Sequence, residues 1–190
     1  GMNRTINDGD FDGKTDLIGS VSFKNVSFKY PDASEYMLKD ISFEASSGQT
    51  IAFIGSTGSG KSTLINLIPR FYDVTSGEIL IDGVNVKEYR EDELHNKIGY
   101  IPQKALLFSG TIKSNVAYGE SYKEITDDDI KKAIEVAQAQ DFVLKKDEQY
   151  DSHVAQGGTN FSGGQKQRLS IARAIARKPE IYIFDDSFSA

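Results

Sequence analysis

The stretch Thr50-Ile51-Ala52-Phe53-Ile54-Gly55-Ser56-Thr57-Gly58-Ser59-Gly60-Lys61-Ser62-Thr63 decides how this 190-residue chain is read. Residues 50–54 are a short apolar run of the kind that forms a buried strand, and residues 61–70 carry a helical pattern. Between them, residues 55–62 satisfy G-x-x-x-x-G-K-[ST] in full, in the strand, loop and helix setting that the pattern requires. The chemistry follows from the spacing. Glycines let the backbone curl until successive N–H groups point inward at phosphate oxygens, and the helix N-terminus adds its partial positive charge. Lys61 is then placed to reach the β- and γ-phosphates, and the Ser62 hydroxyl to ligate Mg²⁺. A glycine-rich turn with a chance lysine is the plain alternative, and it accounts for neither the full pattern nor its setting.

Such a loop needs a second carboxylate, at the end of a neighbouring buried strand, to hold the ion through water. Ile181-Tyr182-Ile183-Phe184 is an apolar run that stops at Asp185 and Asp186, so the strand surfaces where open α/β sheets place their ligands. The helix expected over 163–177 ends at Lys178-Pro179 and feeds this strand, as in a parallel α/β sheet. Upstream, the pattern predicts a strand pair or one bent strand over 21–30, closed by Pro31, and a strand over 37–45. It also predicts a hairpin over 78–86, turning at Asp82-Gly83, and a strand over 98–101. Thr126 and Asp129 form a capping box, and Ile130, Ala133, Ile134 and Ala137 recur at helical spacing. That predicts one amphipathic helix over about 126–145. The acids Asp127, Asp128 and Asp129 suit the positive end of its dipole better than a metal site.

Composition bounds the remaining choices. With 38% hydrophobic residues, 11 Phe and 9 Tyr, the chain can build a core. It has no cysteine, which excludes disulfides, zinc-cysteine sites and thiol nucleophiles. No apolar run approaches the roughly 18 residues of a membrane span. A net charge of -6 argues against a nucleic-acid partner, so phosphate contacts must be local. Residues 1–19, polar, glycine-rich and led by Gly1-Met2, read as a tag scar and solvated linker. Asp8, Asp10, Asp12 and Gly13 start a calcium-loop pattern, but its twelfth position is Gly19, where a bidentate glutamate is required.

Phe161-Ser162-Gly163-Gly164-Gln165-Lys166-Gln167-Arg168 has no simple structural motive, since two glycines in the first turn of a helix cost about 1 kcal/mol each against alanine. The segment resembles the signature sequence of ATP-binding cassette (ABC) proteins, and Ile171-Ala172-Arg173-Ala174 continues the likeness. The order of phosphate loop, Gln103, signature and apolar strand with Asp185 is that of the cassette domain, over residues 20–190. The resemblance implies an α/β fold: a P-loop NTPase (RecA-like) core, an N-terminal antiparallel β subdomain, and a helical subdomain at about 105–165. It implies ATP and Mg²⁺ as cofactors, with residues 55–63 around the phosphates and Ser62, Gln103 and Asp185 around the ion. Tyr30 sits where the family stacks an aromatic on adenine. Two cassettes of this family pair head to tail, so that Ser162, Gly163, Gly164 and Gln165 of one would cover the γ-phosphate held by the other. Residues 105–119 are similar to the exporter branch, which implies a transmembrane domain on the same parent chain and a place at the cytoplasmic face of the membrane. On that reading the chain is an excised cassette, truncated after the Asp185 strand and lacking the family's switch histidine. His95 and His153 precede that strand and read as surface residues.

Residue 186 departs from the family pattern, whose general base is a glutamate. Asp186 withdraws the carboxylate by about one bond length, and a base must lie within about 3 Å of the water it polarises. With Gln103 and Asp186 as its catalytic residues, this chain's own site is expected to hydrolyse ATP weakly. The second cassette could complete a homodimer or a heterodimer; an intact signature beside a weakened site favours one half of a heterodimer, paired with a competent second cassette. Two alternatives stand: a regulatory module that binds ATP with little turnover, and a non-transport cassette ATPase. The coiled-coil insertion or second cassette of the latter does not fit in 190 residues.

Overall fold

The computed structural model describes residues 8–47, 59–119, 121 and 123–185, the side chains of 59–62 and 185 excepted. The chain divides into two compact units, Gly1–Ile98 and Gly99–Ala190. The expected strand over 50–54 lies outside the described residues.

The first unit contains β1 (Val21–Phe28), β2 (Leu38–Ala45), α1 (Ser59–Leu67), β3 (Ser76–Ile81), β4 (Val84–Asn85) and α2 (Glu91–Asn96). Its sheet runs β2-β1-β3-β4, antiparallel throughout. β1 is central because apolar residues cluster at both of its ends: Phe23, Val26 and Phe28 are all buried. Phe23 lies opposite Phe43 on one side and Ile79 on the other, and the two phenyl rings stack at 4.5 Å. Of the two readings of residues 21–30, one bent strand is the outcome. Its register slips against both neighbours around Asn25, which takes a left-handed φ of 49°, the signature of a bulge. The β3–β4 hairpin turns at Asp82-Gly83, with φ of 54° and 80°, as a two-residue primed turn demands.

Within the segment expected to be a linker, residues 9–11 dock on the rest of the first unit. Gly9 and Phe11 N–H donate to the Tyr89 and Glu88 carbonyls at 3.2 and 2.7 Å, and the Phe11 ring meets buried Tyr89 edge-on at 4.8 Å. One apolar ring in a polar segment suffices to anchor it. The aspartates of the abandoned calcium reading do other work: Asp8 accepts from Glu91 N–H at the start of α2 (2.8 Å), and Asp12 from Lys14 N–H (3.0 Å). No cluster of three metal-ligating side chains occurs among the described residues. The Asp82 carboxylate, fully buried, accepts from Ser20 N–H at 2.9 Å and pairs with Lys97, so the chain entering β1 is tied to the hairpin turn. His95 is half-buried rather than a simple surface residue: its Nε2 lies 2.9 Å from the Pro69 carbonyl, and its ring meets Phe71 at 5.5 Å. His153 is exposed, as expected.

The second unit runs through β5 (Ile98–Pro102), β6 (Gly110–Thr111), α3 (Ile112–Val116), α4 (Asp127–Val136), α5 (Gln140–Leu144), β7 (His153–Val154), α6 (Gly163–Ala176) and β8 (Ile181–Asp185). β5 and β8 are hydrogen-bonded neighbours. The helices bury Ile112, Val116, Ile134, Val143, Leu169 and Ala172 in one core. The capping box of α4 forms as predicted, Asp129 N–H donating to the Thr126 hydroxyl at 3.1 Å and Thr126 N–H to the Asp129 carboxylate at 3.0 Å. The single helix expected over 126–145 is instead two. The chain breaks at Gln138, whose φ is 61°. Ala137, Ala139 and Val143 on either side of the break still bury in the same core, so the apolar pattern runs through without marking it. Among the described residues no helix is long and apolar enough to cross a membrane.

Candidate functional site

Residues 55–58 of the phosphate loop lie outside the described residues. Ser59, Gly60, Lys61 and Ser62 form the first turn of α1, and Thr63 behind them is fully buried. That turn contains no acid, whereas α2 and α4 each begin with three. Acids at a helix start neutralise the dipole, so the positive end of α1 is left for an external anion. By chemistry alone, the amides, lysine and hydroxyls of residues 59–63 are of the kinds that suit a phosphate group, and Ser62, Gln103 and Asp185 each carry an oxygen of the kind that a hard cation takes.

Tyr30 is brought to this turn from the end of β1. Its hydroxyl lies 3.5 Å from Thr63 Oγ1 across 33 residues of sequence. The half-buried ring meets Phe28 at 4.8 Å and Tyr72 at 5.2 Å, crossing them at 78° and 89°. Both neighbours are edge contacts, and no ring among the described residues stacks parallel on Tyr30.

In the second unit, α6 opens at Ser162. Gln165 N–H donates to the Ser162 hydroxyl and Ser162 N–H to the Gln165 side-chain oxygen, both at 3.1 Å. This capping box secures the turn through side chains and leaves the first amides for other acceptors. Gly163 and Gly164 are exposed, and a methyl group built on either would meet no atom within 4 Å. Neither has a left-handed φ. Among the described residues nothing demands glycine at either position, and the absence of side chains leaves the helix end open to close approach. The first turn of α6 also lacks an acid.

Gln103 is exposed just beyond β5, and the adjacent Pro102 carbonyl accepts from Gln167 of α6 at 3.3 Å. β8 ends at Asp185 beside β5; the Asp185 side chain and the whole of Asp186 lie outside the described residues. Two organising residues escaped the sequence reading as such. Asn115, buried, accepts from Phe108 N–H and donates to the Phe108 and Thr111 carbonyls at 2.8 and 3.0 Å. Arg173 of α6 donates to the Asn115 and Leu106 carbonyls at 2.8 and 2.7 Å and lies over the Phe108 and Tyr118 rings. Burial, then the nearby Arg177 charge, lower its pKa from its ordinary value, and a guanidinium stays charged nonetheless. The signal for Asn115 was a lone amide inside the apolar spacing of α3.

The family pattern described as ABC transporter matches residues 38–189. The chain belongs to the ABC transporter family. An uncharacterized ABC transporter ATP-binding protein of Mycobacterium tuberculosis is 49% identical over 175 residues, covering 92% of this chain and 30% of that protein. A Staphylococcus aureus protein provisionally named a multidrug export ATP-binding/permease protein is 48% identical over 172 residues, covering 90% of this chain and 29% of that protein. This chain thus spans about 30% of the length of these ABC transporter relatives. The solved structure of a bacterial Atm1-family ABC exporter with ATP bound is 36% identical, with a TM-score of 0.80 over 97% of this chain and 31% of that one. The ABC ATPase fold, with its antiparallel β subdomain and helices, is therefore the fold of this chain.

Proposed function

We propose that this chain is the ATP-binding and ATP-hydrolysing motor domain of an exporter, working at the cytoplasmic face of a membrane. It would bind a transmembrane domain on its parent chain and pair head to tail with a second cassette around ATP and Mg²⁺. One observation supports the pairing: Gly163 and Gly164 lead an acid-free helix, and among the described residues no atom gives them a steric reason to be glycine. Their amides suit a γ-phosphate presented by a partner. The exporter branch is supported by the Staphylococcus relative named for multidrug export and by the exporter fold neighbour. In this scheme Lys61 balances the phosphate charge, Ser62, Asp185 and Gln103 hold the magnesium, and Tyr30 takes the base. The cassette domain itself is assigned to residues 20–190.

The finer reading concerns residue 186. Asp186 in place of glutamate shortens the reach of the general base, so this site turns over slowly and the chain is one half of a heterodimer with a competent partner. The same residue favours a second reading, a module that binds ATP and regulates without hydrolysing it. The test is ATP turnover by the chain, alone and with a partner cassette, before and after Asp186→Glu. A gain of at least about tenfold is expected if geometry limits the base. No gain at all, with ATP still bound, would favour the regulatory reading.

A further inference from the structure

The loop that follows α1 is unusually well tied. Arg70, at a left-handed φ of 60°, closes a fork on Asp73, with Nε to Oδ1 at 2.7 Å and Nη2 to Oδ2 at 3.3 Å. Two residues on, Thr75 N–H donates to the Ser27 carbonyl at 2.9 Å, and its hydroxyl accepts from Lys29 N–H at 2.9 Å. The loop is thus stapled to the end of β1 one residue before Tyr30. Between the two anchors stands Tyr72, whose ring crosses Tyr30 at 89° and also leans on buried Phe28 at 5.8 Å.

We infer that Tyr72 is a positioning residue for base recognition: it holds the Tyr30 ring at a set tilt, from a loop anchored independently of that ring. A tyrosine at a strand end can swing about its side-chain torsions, and a planar base stacks productively on only part of that range. Phe28 and Tyr72 both cross the Tyr30 ring nearly at right angles, so they limit its swing, and neither stacks parallel on it as a base would. The preferred ligand chemistry is a purine base carried on a polyphosphate. The inference rests on the nucleotide reading of the site proposed above and adds to it the residue that orients the base platform.

The experiment compares binding of ATP and of inorganic tripolyphosphate to the chain carrying Tyr72→Leu, Tyr72→Phe, Tyr30→Leu and the Tyr30→Leu/Tyr72→Leu pair. Tyr72→Leu is expected to weaken ATP about fivefold, the cost of ordering a ring that is no longer held in place, and to leave tripolyphosphate unchanged. Tyr72→Phe should restore ATP binding, and the double variant should bind ATP no more weakly than Tyr30→Leu alone. In case leucine destabilises the unit, Tyr72→Met fills the volume without a ring and gives the same comparison. Equal loss for both ligands, or additive loss in the pair, would overturn the inference. If the unaltered chain fails to bind ATP, the nucleotide reading falls and this one with it. If ATP binds and responds to Tyr30→Leu but not to Tyr72→Leu, only the positioning role falls.

Discussion

At the scale of single residues, Gly119 shows how one missing side chain lets two elements meet. Arg177, at the end of α6, donates to the Tyr118 carbonyl at 2.8 Å. A Cβ on Gly119 would lie 1.8 Å from Arg177 Nη2, at a φ of 106° that L side chains rarely adopt. Gly119→Ala is expected to lower stability by about 1 kcal/mol or more, chiefly through strain at that φ, since the guanidinium can shift aside. A urea midpoint equal to that of the unaltered chain would contradict this. Arg173 and Asn115 make the complementary point. Their bonds join residues 58 apart; the lone amide in α3 marks Asn115 as unusual, but nothing local names Arg173 as its partner. The Asp82-Gly83 turn and the Thr126 cap were legible because their residues lie within three positions of one another; the Ser162 capping box, equally local, went unread beside the two glycines that follow it.

At the scale of elements, α4 depends on its cap. Thr126→Ala should cost about 1 kcal/mol, read from a thermal melt. Asp129 accepts from Thr126 N–H and pairs with Lys178 Nζ at 2.9 Å. The Thr126 backbone bond first, then Lys178 and the Thr126 hydroxyl, hold its carboxyl at about 2, below the ordinary 3.8. A carboxyl whose folded pKa is depressed stabilises while ionised. Its contribution is complete above the unfolded value near pH 4 and disappears as pH falls through about 2. Melts between pH 5 and 2 should therefore show a pH-dependent loss that Asp129→Asn abolishes, and identical profiles would exclude the effect. The break at Gln138 was invisible for the opposite reason. Periodicity records which residues are buried, and both sides of the break serve one core. The short helices α2 and α3 were not read, because six and five residues carry too little periodicity to register.

At the scale of the whole molecule, the proposed pairing makes Gly164 decisive. Gly164→Asp places a carboxylate where a partner's γ-phosphate would sit. ATP-dependent association with a second cassette, followed by light scattering, should be lost, while the isolated chain still binds ATP at its own loop. Persisting association would remove the trans role of α6. The sequence by itself determined the phosphate loop, the signature, the Asp185 strand, their order and hence the family, because these are contiguous motifs whose chemistry needs fixed spacing. Only the tertiary structure decided that Tyr30 meets Thr63 and Tyr72, that Asn115 and Arg173 organise the loop beyond β5, and that Gly163 and Gly164 face open space. Each of these is a contact, or the lack of one, between residues far apart in sequence, and spacing along a chain carries no record of what packing brings together.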